Sequence, residues 1–214
     1  MSSFLDVAIF PLPNQVSFPG TIVPLHIFEP RYRKMIDECV ERDRMIAVSH
    51  VKKQISPAKK PQPIARALKT NQATYQPQEI FSAGPCQILK RAKDGRIYVN
   101  ISMRHRLVLD REIQTLPYRI GSCSMLHDEP YEPSQLVPQQ AAIVDTISQL
   151  FERQVPSDTD SFDRESWLAM DAQEFSFGIF QILRFEAEIM QCILELTDPA
   201  ERLIRIAETL GNNN

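Results

Sequence analysis

The chain has 214 residues, of which 43% are hydrophobic and 24% charged, the balance of an ordinary soluble globular protein. At that length folding buries roughly 70% of the unfolded surface, so no disulfide or metal staple is required. The net charge of −3 hides a polarity, because residues 1–127 hold 19 Lys/Arg against 10 Asp/Glu while residues 128–214 hold 5 against 17. Two readings of that polarity are open: mutual attraction of two halves, or a basic surface for an anionic partner.

The start, from Met1 to Asp6, has no basic n-region and no long apolar h-region. The apolar runs fall far short of the roughly 20 residues that a membrane span needs, so a cytoplasmic protein without membrane contact is expected. Cys39, Cys86, Cys123 and Cys192 stand far apart without a CxxC and read as buried free thiols. With 16 prolines and 6 glycines, turns should be set by fixed φ more often than by positive φ.

In chain order, residues 7–13 read as a short strand closed by Pro11 and Pro13. Residues 22–28 read as another, and Pro24 within it removes one ladder donor, so this strand should be an edge or be bulged. Pro30 suits the first turn of a helix in which Tyr32, Met35, Ile36, Cys39 and Val40 fall on one stripe. Residues 45–51 read as a buried strand, residues 52–63 as an exposed loop, 64–68 as a returning strand and 70–79 as another loop. From 80 to 126 the pattern is β throughout, with Lys93-Asp94-Gly95 marking a tight hairpin turn. Its second arm alternates Ile97, Val99 and Ile101 with Tyr98, Asn100 and Ser102, so one face should be core.

Pro130 and Pro133 with three acids mark a linker at 127–133. Beyond it Ile143, Ile147, Leu150 and Phe151 form a helical stripe, 157–165 is an acidic loop, and 175–196 reads as two packed helices. A last helix starts with Asp198 as N-cap, Pro199 in the first turn and Glu201 as capping-box partner, and stops at Gly211. The fold class expected is α+β, a β-rich part over 1–127 followed by a helical part over 128–214.

Motifs for bond-making chemistry are missing. The six glycines, at 20, 84, 95, 121, 178 and 211, offer no Gly-x4-Gly-Lys-Ser/Thr spacing to cradle a phosphate, and no Gly-x-Ser-x-Gly elbow. His26, His50, His105 and His127 are dispersed, whereas metal sites usually begin from a close ligand pair. No catalytic residue, metal or cofactor is expected.

Two surfaces are candidates for binding. Lys52, Lys53, Lys59 and Lys60 lie in a basic, proline-interrupted segment, and Lys90, Arg91, Lys93 and Arg96 around the hairpin could extend it into an anion or RNA patch. Pro24 on an unpaired edge could instead accept an extended peptide, with His26, Glu29, Arg31 and Tyr32 beside it. Phe10, Phe18, Leu25 and Phe28 are expected in the core, and Gly20 in a turn.

Residues 9–33 carry a proline-closed apolar strand, then Phe18-Pro19-Gly20, Pro24-Leu25 and Phe28-Glu29-Pro30-Arg31-Tyr32. Ala83-Gly84-Pro85, Asp94-Gly95-Arg96, Arg106, Pro117-Tyr118, Asp128-Glu129-Pro130 and the stretch from Leu194 to Leu203 follow in order. Together they resemble the Lon N-terminal (LON substrate-binding) domain family over essentially the whole chain. Met103 stands where the family often has glycine before the strand arginine. The resemblance implies a PUA-like β-barrel with a C-terminal helical subdomain, here expected to stand free of the ATPase and peptidase of full-length Lon. It also implies a non-catalytic module for unfolded or apolar polypeptide, with a protease or chaperone as further partner. RNA binding by the basic half is the alternative, and a small hydrolase with an unrecognised site is a third reading.

Overall fold

The computed structural model describes residues 4–57, 68, 70, 71, 73–154 and 163–212. Five strands close into a barrel in the order β1 (Leu5–Pro11), β10 (Arg119–Met125), β9 (His105–Gln114), β6 (Ile80–Gly84) and β3 (Ile46–Ser49), with β3 returning parallel to β1. Val7, Ile9, Ala47, Phe81, Ala83, Leu107 and Cys123 fill its interior. Closure removes the free edges, which is why β1 and β3 can be apolar almost throughout.

A second sheet, β2 (Ile22–Ile27), β8 (Ile97–Ser102) and β7 (Cys86–Arg91), lies against the barrel. Ile97, Val99 and Ile101 alternate inward as the pattern requires, and α1 (Pro30–Glu41) packs Tyr32, Met35, Ile36 and Cys39 into the same core. Val40 departs from the expected stripe and is 44% exposed. Where the two sheets meet, a Cβ on Gly84 would stand 1.8 Å from the Ser102 carbonyl oxygen. The close backbone approach near Met103 is thus made from the Gly84 side, and Arg104 N donates to Ala83 O at 2.9 Å.

Residues expected as loops form a two-stranded ribbon, β4 (Val51–Ser56) with β5 (Thr74–Pro77). Residues 52–56 are all exposed, so no buried face stamps an alternation on the sequence and ladder bonds alone define the strand. The strand expected at 64–68 falls outside the described residues except for Leu68.

The helical half comprises α2 (Pro133–Gln154), α3 (Arg164–Ala169), α4 (Ala172–Gly178, continued by a 3-10 turn at Ile179–Gln181), α5 (Ala187–Glu195) and α6 (Pro199–Asn212). α3 begins inside the stretch expected as an acidic loop, because Asp163 caps it by accepting from Ser166 N at 3.1 Å; residues 157–162 lie outside the described residues. Asp198 caps α6 through Ala200 N at 2.8 Å. None of the helices is long and apolar enough, among the described residues, to cross a membrane.

Several contacts tie the halves together, and two stand out by their burial. Val16 and Phe18, from the β1–β2 connection, sit in the helical core, where Phe18 stacks on Phe180 with ring centroids 3.9 Å apart. Thr21 returns both its N–H and its hydroxyl to Phe18 O, and Gly20 supplies the turn with φ +82°. The Phe-Pro-Gly motif is therefore an anchor followed by a turn.

The second of these is a buried charge junction. Arg106 of β9 and Arg202 of α6 both bind the carboxylate of Asp128, with side chains 3%, 0% and 4% exposed. Two cations against one anion leave one positive charge over. The carbonyl ends of α5 absorb it: Arg106 donates to Leu194 O and Leu196 O, and Arg202 to Leu196 O at 2.8 Å. Phe177 lies under both guanidiniums, at 4.9 and 3.9 Å. Burial pulls Arg106 down to about 10, opposed by Asp128, and it stays charged at neutral pH.

Candidate functional site

β2 is an outer strand, as Pro24 required, and it pairs with β8 without a bulge. Ile22 stands opposite Ser102 and Met103 N donates to Thr21 O. By the antiparallel alternation, Thr21, Val23, Leu25 and Ile27 therefore bond toward β8, and Ile22, Pro24 and His26 turn their backbone groups to the free edge. Pro24 occupies an outward place, where its missing N–H costs no ladder bond. The same three side chains are exposed, Ile22 at 60%.

Beside Ile22 and Pro24 lies an open groove of about 540 Å³. One wall is the segment from Gln15 through β2, and the opposite wall is the connection between α4 and α5, through Phe180, Gln181, Leu183 and Arg184. Phe18, stacked on Phe180, and Met190 lie beneath it almost wholly covered, and the surface the groove offers is about as polar as apolar. Two hydrogen bonds tie the walls: Gln181 donates to Gly20 O at 3.1 Å, and Arg184 to Gln15 Oε1 at 3.1 Å. Arg184 is the one formally charged side chain among the described residues that line the groove.

Of the residues expected around a peptide site, Pro24 lines this groove, whereas His26 stands farther along the strand, stacked on Tyr98 at 4.5 Å. Glu29 and Arg31 form a clamp instead, an ion pair at 2.9 Å with both side chains about nine-tenths covered. Arg31 also donates to Ala73 O at 2.6 Å and Thr74 Oγ1 at 3.2 Å, fastening β5 to the start of α1. Tyr32 is 6% exposed, edge-on to Phe10, and burial pushes its hydroxyl up to about 12. These three hold the fold. Phe10 and Phe18 are buried as expected, while Leu25 and Phe28 are only partly so.

The described basic residues lie on two ribbons. Lys52 and Lys53 sit on the β4–β5 ribbon, and Lys90, Arg91, Lys93 and Arg96 on the β7–β8 hairpin. Lys52 pairs with Glu79 at 2.9 Å, Arg91 with Asp37 at 2.6 Å and Arg96 with Asp94 at 2.8 Å. Lys59 and Lys60 lie outside the described residues. All four cysteines are free, but only Cys39 and Cys123 are buried, and burial pushes both thiols up to about 12; Cys192 is exposed, contrary to expectation. Among the described residues no three His, Cys, Asp or Glu side chains gather as a metal site would require.

The far wall of the groove was not foreseen. Phe180, Leu183 and Arg184 belong to a stretch that reads as helix core, and only the break between α4 and α5 could have drawn attention to it.

The comparisons agree with this architecture. Residues 6–212 match the family model described as the ATP-dependent protease La (LON) substrate-binding domain. The chain is 21% identical over 209 residues to Lon protease 1 of Herpetosiphon aurantiacus, covering 96% of this chain and 24% of that protein, so it spans about a quarter of that relative's length. The Lon N-terminal domain protein of Xanthomonas campestris superposes with a TM-score of 0.62 at 17% identity, covering 95% of this chain and 97% of that one. The N-terminal domain of Mycobacterium avium complex Lon protease gives 0.64 at 12% identity, covering 98% and 100%. The chain belongs to the LON substrate-binding domain family.

Proposed function

We propose that this protein is a polypeptide-recognition module that holds exposed apolar segments of other chains in the groove beside β2, with no covalent step and in the cytoplasm. The observation that carries the reading is the groove itself, in which Ile22, Leu25, Phe180 and Leu183 offer apolar surface between the outer edge of β2 and a helical connection. Its volume lies in the range of roughly 300–1,000 Å³ usual for ligand sites. Two or three apolar side chains at about 1.5–3 kcal/mol each give at most about 9 kcal/mol before the cost of ordering the segment, so affinity is micromolar at its strongest. Pro24 interrupts the outward donors of the edge, so side-chain burial contributes more than added ladder bonds. Membership in a family described as substrate-binding supports the same reading, as do the related domains of Lon proteases.

The test is a titration of labelled apolar peptides, drawn from denatured proteins, against the wild type and Ile22→Asp. Saturable binding that weakens at least about tenfold in the variant supports the reading. Absence of binding across the panel, or an unaffected variant, would overturn it. RNA binding has less support, since Lys52, Arg91 and Arg96 are already paired with carboxylates; retention of RNA that falls steeply with salt would restore it.

A further inference from the structure

We infer that the groove discriminates by charge, preferring polypeptide segments in which an acidic side chain accompanies the apolar residue. The inference rests on the polypeptide-recognition reading and sharpens it. Arg184 is exposed at the rim and donates to the neutral amide oxygen of Gln15. Among the described residues no carboxylate pairs with it, whereas Arg106 and Arg202 share Asp128, and Arg31 has Glu29. No acid lines the groove on either wall among the described residues.

A segment seated against Phe180 and Leu183 excludes water from that rim. A carboxylate beside the apolar anchor then meets a planar guanidinium with open donors, a geometry suited to two parallel hydrogen bonds. A lysine at the same place meets like charge. The 17 acids of residues 128–214 oppose an approaching acidic peptide at long range, but that field is screened over about 8–10 Å, and the contact pair is not. Rim charges act on partner choice more than on total affinity, so a modest preference is expected, about three- to tenfold.

The experiment uses the full chain and peptides with a cluster of three Leu or Phe anchors in a Gly/Ser background. A Glu, Gln or Lys is placed in turn at each of the four positions on either side, and affinity is read by fluorescence anisotropy. Wild type should rank Glu above Gln above Lys at one or more positions. Arg184→Glu should reverse that order, and Arg184→Gln should abolish it. Equal affinity for all three at every position would overturn the charge inference while leaving polypeptide recognition standing. Failure of every peptide to bind would overturn both.

Discussion

The Asp128 junction and the groove beside Ile22 both bridge the β-rich half and the helices, and both contain arginine. At the junction, Arg106 and Arg202 are almost wholly covered, and their donors end on Asp128, Ser176 and the carbonyl end of α5. At the groove, Arg184 is exposed and donates to a neutral amide oxygen. A buried guanidinium must be satisfied inside the chain or the fold fails, since an unpaired charge there costs several kcal/mol. An exposed one has no such constraint and remains available to a partner. Burial and partner count, more than residue type, separate the arginines that build this molecule from those left at its surface.

That contrast can be broken most forcefully at Asp128. Asp128→Ala leaves two covered guanidiniums against one another, and a loss of about 3–5 kcal/mol is expected in urea unfolding; a loss under about 1 kcal/mol would show that the junction is not what holds the halves together. Phe18→Ala should come close, about 3–5 kcal/mol by the same measurement, because it empties a site between Phe177 and Phe180. Gly84→Ala drives a methyl into Ser102 O and should cost about 1–3 kcal/mol, seen as a lower thermal midpoint.

A smaller effect is expected from pH. Tyr32 is raised from 10.0 to about 12, and Cys39 and Cys123 from 9.0 to about 12, all chiefly by burial. The folded chain keeps these protons to higher pH than the unfolded chain does, so stability is whole below about pH 9 and falls as pH rises toward 12. Tyr32→Phe should flatten the part of that fall above about pH 10. At the groove, Ile22→Asp and Arg184→Glu should change stability by no more than about 0.5 kcal/mol while altering peptide binding, the inverse of Asp128→Ala. Large destabilisation by either would erase the distinction between the two regions.

Much of the frame was legible before any coordinates. The Ile97, Val99, Ile101 alternation and the Asp94-Gly95 turn are local signals, and the hairpin follows them. Pro24 marked an edge strand because a missing N–H is a covalent fact that no context changes. The order of weak motifs, from Phe18-Pro19-Gly20 to Asp128-Glu129-Pro130, pointed to the family that the comparisons bear out. The candidate site was half legible: Pro24 lines the groove, but Arg31 and Tyr32, its neighbours in sequence, turn inward as structure.

The amino-acid sequence by itself determined the β7–β8 hairpin, the starts of α1 and α6, which strand has an open edge, and that the Gly-x4-Gly-Lys-Ser/Thr spacing is missing, because each depends on residues within a few places of one another. Tertiary structure alone decided that Arg202 is buried and Arg184 exposed, that β4 finds β5, and that Gly20 meets Gln181 across 161 residues. Contacts between residues so far apart leave no period in the chain; they exist only once the barrel has closed and the helices have packed against Phe18.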